Sequence, residues 1–380
     1  MSSSFAVRGM LAACALLFGA ADAWAQGCMK CHGKGTLACT KHPKNAPQVE
    51  SNVSFCSIVA RCALCKGTLR LDCPDCHGKE EEEYKDVLAA QEKRIAEQLE
   101  FEKGIAGEPR GRCLTKHFDF TFEVEKLTVG REQLDQHQLL HLYADRIEKL
   151  HEMFNEMLGL RDGDHVCKRY RVMVWRNPLD NVEAQTRYTE GGSSGVGKKL
   201  LGARGVYTMC RDRNKEPQDD DLHRNLAHNI PHLFLASIFD GVWVGQFKAG
   251  WVDEGLSHWF EDKLFGQCTN FCYQEQNTNV SFRGGKWKTP VRGLAEDPKR
   301  PSFSETSNKT SDELTTPEHA LAFSYVDYLL NLDGTKFPAM VKILKKKRPT
   351  REALQEAYGL TMFQFEEDWK KWVLATYSKR

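Results

Sequence analysis

Two segments near the start of the chain repeat one spacing of cysteine and histidine residues, and no other feature constrains the fold as strongly. Both follow the pattern C-x2-C-x7-C-x2-[C/H]. The side chains are Cys28, Cys31, Cys39 and His42 in the first segment and Cys62, Cys65, Cys73 and Cys76 in the second. Two such turns joined by a short hairpin supply four ligands at about 2.3 Å around a tetrahedral zinc ion. The repeat therefore predicts a β-hairpin module over residues 27–78 that is stabilised by two zinc ions.

The first 26 residues have the features of a secretory signal peptide. Arg8 is followed by an apolar run over residues 10–21, and Ala23-Trp24-Ala25 matches a small-residue cleavage site. We therefore expect an exported protein, periplasmic or extracellular, that is cleaved near Ala25. Oxidising compartments favour disulfide bonds over free thiolates, so disulfides remain the alternative to zinc in the cysteine repeat. No later apolar run reaches the roughly 18 residues of a membrane-spanning helix, so no transmembrane segment is predicted.

Composition narrows the class of protein further. The chain has 380 residues, of which 41% are hydrophobic, and this excludes wholesale disorder. At about 150 residues per domain, this length predicts two or three domains. A formal net charge of +1 argues against a nucleic-acid-binding protein that relies on bulk electrostatics. Residues 79–110 are highly charged, which predicts a solvated helical linker and leaves residues 111–380 for one larger domain.

The hydrophobic pattern of the larger domain predicts strands followed by helices. Phe118, Phe120 and Phe122 alternate with polar residues, as in a half-buried strand, and later apolar residues recur at helical spacings of three and four. Strands are predicted over residues 118–124, 170–175 and 206–209, and helices over 140–157, 350–359 and 361–375, with a further helix starting at Thr316-Pro317. This order predicts an α+β fold.

The cysteine repeat resembles a known zinc-binding family. The segments C-x2-C-x-G-x-G from Cys28 and C-P-D-C-H-G from Cys73 are similar to the cysteine-rich domain of DnaJ-type co-chaperones. The chain departs from that pattern at His42, which replaces a Cys, and at Cys56, which is additional. The resemblance implies that residues 27–78 bind zinc and that they help to hold unfolded polypeptide.

A second constellation lies in the larger domain. His228 and His232 stand four residues apart on a predicted helix, so both imidazoles lie on one face and can share a metal ion. The downstream segment W-V-D-E-G, which begins at Trp251, contains Glu254. Together these segments resemble the motifs of gluzincin metallopeptidases. The resemblance implies a zinc ion held by His228, His232 and Glu254. It also implies a domain with an N-terminal sheet, a long helix and a C-terminal helical bundle.

The chain departs from the gluzincin pattern at two positions. Asn229 replaces the glutamate that acts as the general base, and an amide cannot take a proton from water. Pro231 is expected to kink the helix between the two histidines, unless the helix begins near residue 229. We therefore expect a catalytically impaired domain, a pseudopeptidase, that binds polypeptide or a protein partner in its cleft. Peptide is predicted to add as a strand at an edge around residues 205–207.

Two alternatives to the pseudopeptidase stay open. Asp253, His258 or Glu261 can be the substituted base of an active zinc peptidase. Alternatively, His228 and His232 are core residues, and the protein is a structural or interaction protein with zinc only in its cysteine-rich module. Metal content and chelator-sensitive peptide cleavage distinguish the three hypotheses.

Six cysteines outside the repeat suit disulfide bonds in an exported protein, and the sequence leaves their pairing open. They are Cys56, Cys113, Cys167, Cys210, Cys268 and Cys272. Residues 192–199 nearly match a phosphate-binding loop but lack its final Ser or Thr, so they are interpreted as a surface loop. The basic run over residues 345–348 is interpreted as a solvated helix end.

Overall fold

A computed structural model describes residues 29–31, 36–41, 53–56, 63–64, 70–75, 111–189, 197–214, 216–270 and 282–379. These residues fall into two compact units. The smaller unit takes its described residues from 1–46 and 57–100, and the larger unit takes them from 47–56 and 101–380. The predicted signal peptide and the predicted linker over 79–110 lie outside the described residues. So do Cys28, His42, Cys62, Cys65, Cys76 and Cys272.

Ten short strands occur within the described residues. In chain order they are β1 (Thr36–Ala38), β2 (Val53–Cys56), β3 (Arg70–Asp72), β4 (Arg112–Thr115), β5 (Phe118–Phe122), β6 (Lys126–Val129), β7 (Glu132–Asp135), β8 (Tyr170–Trp175), β9 (Lys198–Leu200) and β10 (Val206–Cys210). In the smaller unit β1 pairs antiparallel with β3, and Leu37 lies opposite Leu71. β1 belongs to the first cysteine repeat and β3 to the second, so this pairing joins the two repeats. The described pairing thus runs between the repeats, and the hairpin predicted within each repeat stays a prediction.

A six-stranded mixed sheet forms the first part of the larger unit. Its strand order is β2-β4-β5-β8-β10-β9. The three central strands β5, β8 and β10 run parallel, and the pairs toward both edges are antiparallel. β6 and β7 form a separate antiparallel pair. The strands predicted from hydrophobic pattern are present as β5, β8 and β10.

Strand β5 is buried along its whole length, whereas the sequence predicted a strand buried on one face only. Asp119 lies on the face of β5 that was predicted to be exposed, opposite the phenylalanines, and its side chain is buried. Its carboxylate accepts hydrogen bonds from Arg112 Nε at 2.5 Å and from Arg171 Nε at 3.0 Å. A charge can be buried when it is paired in this way, so both faces of β5 are covered.

Helices make up the rest of the larger unit, which confirms an α+β fold. In chain order they are α1 (Gln136–Leu158), α2 (Pro178–Tyr188), α3 (Asp219–Ser237), α4 (Gly250–Phe265), α5 (Lys288–Glu296), α6 (Phe303–Thr306), α7 (Thr316–Asp333), α8 (Phe337–Lys345), α9 (Thr350–Tyr358) and α10 (Met362–Thr376). The predicted long helix is α1, and the two predicted final helices are α9 and α10. Within the part of the chain that the structure describes, no helix has the length and apolar character needed to cross a membrane.

Helix α1 is capped by its own sequence at both ends, by Asp135 at the start and Gly159 at the end. Asp135 accepts a hydrogen bond from the backbone of Gln138, whose side chain in turn accepts one from the backbone of Asp135. This reciprocal capping satisfies amide groups that have no partner inside the helix. The helix ends at Gly159, which adopts the left-handed conformation with φ of 64°. Its buried face includes Leu140, Tyr143 and other residues at the predicted helical spacing.

Helices α4 and α7 pack with their backbones in close approach at Gly255. A Cβ atom at this position would lie 2.4 Å from the carbonyl oxygen of Ala322, so only glycine fits. Gly255 directly follows Glu254. The glycine therefore lets the helix that carries Glu254 lie against the first turns of α7, where His319 is located.

Lys345 departs from the prediction for the basic run over residues 345–348. The sequence suggested a solvated helix end, but Lys345 is only 3% exposed. Its ammonium group donates hydrogen bonds to the carbonyl oxygens of Ala236 at 2.8 Å and Asp240 at 2.9 Å. Burial lowers the pKa of Lys345 to about 8. A cation at the C-terminal end of α3 is favoured by the helix dipole, so Lys345 secures the end of the helix that carries both motif histidines.

Replacing Lys345 with alanine is expected to lower the free energy of unfolding by about 1–3 kcal/mol, because two buried carbonyl groups lose their donor. Lys346→Ala is the matched control, since Lys346 is exposed on the next position. The control is expected to stay within about 0.5 kcal/mol of the parent. Denaturant unfolding curves measure both variants. Equal stability of the two variants would contradict this account of Lys345.

The expected disulfide bonds are not found among four of the remaining cysteines. Cys113, Cys167, Cys210 and Cys268 are free thiols in the structure. The thiol of Cys268, for example, is buried against α4 and donates a hydrogen bond to the carbonyl oxygen of His258 at 3.3 Å, so it is not paired with another cysteine. The prediction of disulfides is therefore wrong for these four residues.

Candidate metal centre

The two motif histidines converge despite the proline between them. Helix α3 runs continuously from Asp219 to Ser237, so Pro231 lies in its interior and not in its first turn. The alternative of a helix start near residue 229, which would have placed Pro231 in the first turn, is therefore excluded. His228 and His232 are both buried and lie one turn apart, with their ring centroids separated by 5.3 Å. The lost hydrogen bond at Pro231 leaves the two imidazoles on one face.

Glu254 completes a three-residue donor group. Its Oε2 atom lies 3.9 Å from His228 Nε2, and its Oε1 atom lies 3.8 Å from His232 Nε2. Metal–nitrogen and metal–oxygen bonds to zinc measure about 2.0–2.2 Å, so atoms at these separations can contact one ion placed between them. His228, His232 and Glu254 are all buried, and together they could hold a metal ion.

Two further carboxylates face the outer nitrogens of these histidines. Asp253 Oδ1 lies 2.9 Å from His232 Nδ1, and Glu261 Oε2 lies 3.4 Å from His228 Nδ1. Carboxylates in this position fix the tautomer and the orientation of a metal-binding imidazole. Asp253 is itself held by Trp243 Nε1, which donates to Oδ2 at 2.8 Å, and by Ser311 Oγ at 2.9 Å.

The protonation states suit metal binding. Burial lowers the pKa values of His228, His232 and His258 to about 4, so these imidazoles are neutral near pH 7. Burial on its own would raise the pKa of Glu261, but contacts with His228 and His258 lower it to about 2. The histidines therefore offer the neutral nitrogen donors that bind a divalent cation, and the Glu261 carboxylate that faces His228 is ionised.

His258 and His319 extend the cluster around Glu254. His258 Nε2 and His319 Nδ1 each lie 3.9 Å from Glu254 Oε2 and are 3.1 Å from one another. His258 was a sequence candidate and stands one helical turn after Glu254. His319 was not predicted, because no motif spacing connects it to the other residues. Only the packing of α7 against α4 brings it into the cluster.

The side chain of Asn229 is bound to Asn225 on the same helix. Its Nδ2 atom donates to the backbone oxygen of Asn225 at 2.9 Å and to Asn225 Oδ1 at 3.1 Å. Asn225 also accepts from Tyr207 and donates to Glu216. The amide at position 229 is thus part of a polar chain along the helix.

A cleft of about 750 Å³ opens onto this cluster. Its lining includes His232, Asp253 and Glu254, together with strand β9, Trp243 and Phe247. β9 is the last strand in the order of the sheet, whereas β10 pairs with β8 and β9 on its two sides. The strand edge predicted around residues 205–207 is therefore wrong, and the edge beside the cleft is β9. Lys198 and Lys199, from the segment interpreted as a surface loop, form part of this strand.

The cysteine-rich segment is described in part. Cys31, Cys39 and Cys73 are buried. Lys30 Nζ lies 2.9 Å from Asp75 Oδ1, which brings the first C-x2-C turn beside the last one. Together with the β1–β3 pairing, this contact groups turns from different repeats.

Neither the scan against protein-family models nor the search of curated proteins finds a match to this chain.

Proposed function

We propose that the larger unit is a zinc-binding, peptidase-like domain that holds an extended polypeptide beside β9 with little hydrolysis. We further propose that the protein is exported and that its cysteine-rich segment binds two more zinc ions. One observation carries the proposal, namely the convergence of His228 Nε2, His232 Nε2 and the Glu254 carboxylate in a buried site.

The donor atoms support a metal ion at this position. The Nε2 atoms of His228 and His232 are buried and have no hydrogen-bond partner among the described residues. A buried polar atom without a partner costs about 1–3 kcal/mol, and coordination would satisfy both atoms at once. Two imidazoles and one carboxylate are a donor set that zinc accepts in proteins. When bound, the ion would polarise a carbonyl group and lower the pKa of a coordinated water.

The loss of efficient hydrolysis is inferred from the missing base. Asn229 has no group that accepts a proton near neutral pH. The three substituted bases that the sequence suggested are engaged elsewhere. Asp253 faces His232, and His258 Nε2 lies 3.1 Å from His319 Nδ1. Glu261 accepts hydrogen bonds from the backbone of Thr269 at 2.6 Å and of Asn270 at 3.1 Å. General acid–base catalysis contributes about 10²–10⁴-fold in rate, so a site without it binds substrate but turns it over slowly.

Polypeptide is the ligand that the edge strand β9 and the apolar lining of the cleft favour. An edge strand beside a cleft can accept an extended segment through main-chain hydrogen bonds, which do not depend on its sequence. Leu200, Leu201, Val242, Trp243 and Phe247 add apolar surface for side chains of the bound segment. Backbone pairing with β9 would lay such a segment next to Glu254 and His232.

The test compares metal content and peptide cleavage in the purified protein and in the His228→Ala/His232→Ala variant. The double variant is expected to contain one zinc ion per chain fewer than the parent, because it loses two of the three donors. The matched control is His223→Ala on the same helix, which is half-buried and contacts the rings of Tyr143 and Phe265. The control is expected to keep the parent's metal content.

Two results would contradict the proposal. Equal zinc in the parent and the double variant would support a structural or interaction protein without metal in the larger unit. Chelator-sensitive cleavage of a denatured protein substrate, lost in the double variant, would support an active peptidase with another base. Binding of an unfolded polypeptide by the zinc-loaded parent, without cleavage, is the expected result.

A further inference from the structure

A second group of metal-binding side chains lies where strand β2 meets the start of helix α1. Cys56 is the last residue of β2, and His137 and His141 occupy the first two turns of α1. Residues four apart on a helix project from the same face, so both imidazoles point the same way. One donor atom from each of Cys56, His137 and His141 lies within 4.8 Å of the other two.

The surroundings of this group are those of an interior site. Cys56 is 2% exposed and His141 is 7% exposed. The Nε2 atom of His141 is buried and has no hydrogen-bond partner within the described ranges. Burial, together with the neighbouring His137, lowers the pKa of His141 to about 4, so its imidazole is neutral and its ring nitrogen can act as a ligand.

Cys113 lies outside this three-residue group but is the neighbouring candidate for a fourth ligand. It lies directly opposite Cys56 in the antiparallel pairing of β2 with β4. Residues opposite one another in such a pair project from the same face of the sheet, with Cβ atoms about 4.5–5.5 Å apart. Cys113 is fully buried and is a free thiol in the structure. Two thiols and two imidazoles form the donor set of structural zinc sites.

We propose that Cys56, Cys113, His137 and His141 form a structural zinc site that fastens strand β2 to helix α1. Ligands of a tetrahedral zinc ion stand about 3.5 Å apart, so binding would bring the four donor atoms to that spacing. Each thiol loses its proton on coordination, and the charge of the ion compensates the two buried thiolates. The nearest described segments before and after β2, residues 36–41 and 63–64, belong to the smaller unit, so a metal bond would fix this strand in the larger one.

Metal analysis of the full chain tests the site. Cys56→Ser and His141→Ala are each expected to remove one zinc ion per chain. In the cobalt-substituted protein, both are also expected to weaken the thiolate-to-cobalt absorption. The conservative variant His141→Cys is expected to retain the ion, since it replaces one ligand by another. Cys210→Ser is the matched control, because Cys210 is a partly exposed free thiol on a different strand. It is expected to change neither quantity.

Loss of zinc from this site can be distinguished from loss of zinc from the site formed by His228, His232 and Glu254. That centre has only nitrogen and oxygen donors, so its loss in His228→Ala/His232→Ala leaves the thiolate absorption unchanged. Unaltered zinc content in folded Cys56→Ser and His141→Ala would overturn the proposal, as would a Cys56–Cys113 disulfide in the purified parent. An anomalous zinc peak between Cys56 and His141 in crystals of the parent would support it even if the variants fail to fold, and its absence would overturn it.

Discussion

Asn229→Glu is expected to give the zinc-loaded protein peptide hydrolysis at a rate about 10²–10⁴ times that of the parent. This factor corresponds to a lowering of the activation barrier by about 3–5 kcal/mol. The reason is that the substitution restores a proton acceptor directly after His228, while His228, His232 and Glu254 already converge. The glutamate must leave the position that Asn229 occupies against Asn225 and turn toward the cleft.

The measurement is cleavage of a quenched fluorescent peptide library with and without chelator. Asn229→Gln is the matched control, because it has the same size as glutamate but no proton acceptor. Asn229→Glu combined with His228→Ala and His232→Ala should be inactive if the metal takes part. If Asn229→Glu binds zinc and peptide but shows no gain in hydrolysis, the missing base is not what limits the reaction, and this account of position 229 is wrong.

Acidification is expected to unfold the metal-free protein between about pH 6.5 and pH 4. His228, His232 and His258 have pKa values of about 4 in the folded state, whereas an unfolded histidine has a pKa of about 6.5. Between these values the unfolded chain binds more protons than the folded one, so the free energy of unfolding falls as the pH falls. Each histidine taken alone contributes on the order of 3 kcal/mol to this loss, which is a large part of the 5–15 kcal/mol of a typical domain.

The carboxylates around these histidines do not reverse the sign in this range. Contacts with the histidines overcome burial and lower the pKa values of Asp253 and Glu261 in the folded state, so both stay ionised until lower pH. Denaturant unfolding at a series of pH values, after removal of metal, measures the effect. Zinc should move the acid transition to lower pH, because it competes with protons for the same nitrogens. A free energy of unfolding that is flat between pH 6.5 and 4 would show that these imidazoles do not stay neutral in the folded state.

Local pattern was enough to predict those parts of the site that lie close together in the chain. The spacing of His228 and His232 places both on one helix face, and Glu254 could be recognised from its neighbours in the segment that begins at Trp251. Each of these signals fits within a few helical turns. The strands β5, β8 and β10 and the long helix α1 were predicted for the same reason, since their hydrophobic periodicity is visible over a short window.

Features that depend on tertiary packing could not be predicted in this way. His319 joins the cluster only because Gly255 lets α4 approach α7. Lys345 is buried because its ammonium group meets the end of a helix more than 100 residues earlier in the chain. The edge strand beside the cleft lies in a Gly- and Lys-rich segment with no alternating pattern, so sequence reasoning favoured the more regular Val206–Cys210 instead. In each case the residues that come into contact are far apart in the chain, so no short sequence pattern links them.

The length of β9 has a consequence for what the cleft can retain. A strand of only three residues can offer an incoming segment about two main-chain hydrogen bonds, since backbone groups point alternately to the two sides. Such a short contact is expected to release its occupant quickly. A protein built in this way would sample many extended segments in turn and favour those whose side chains fit against Trp243 and Phe247.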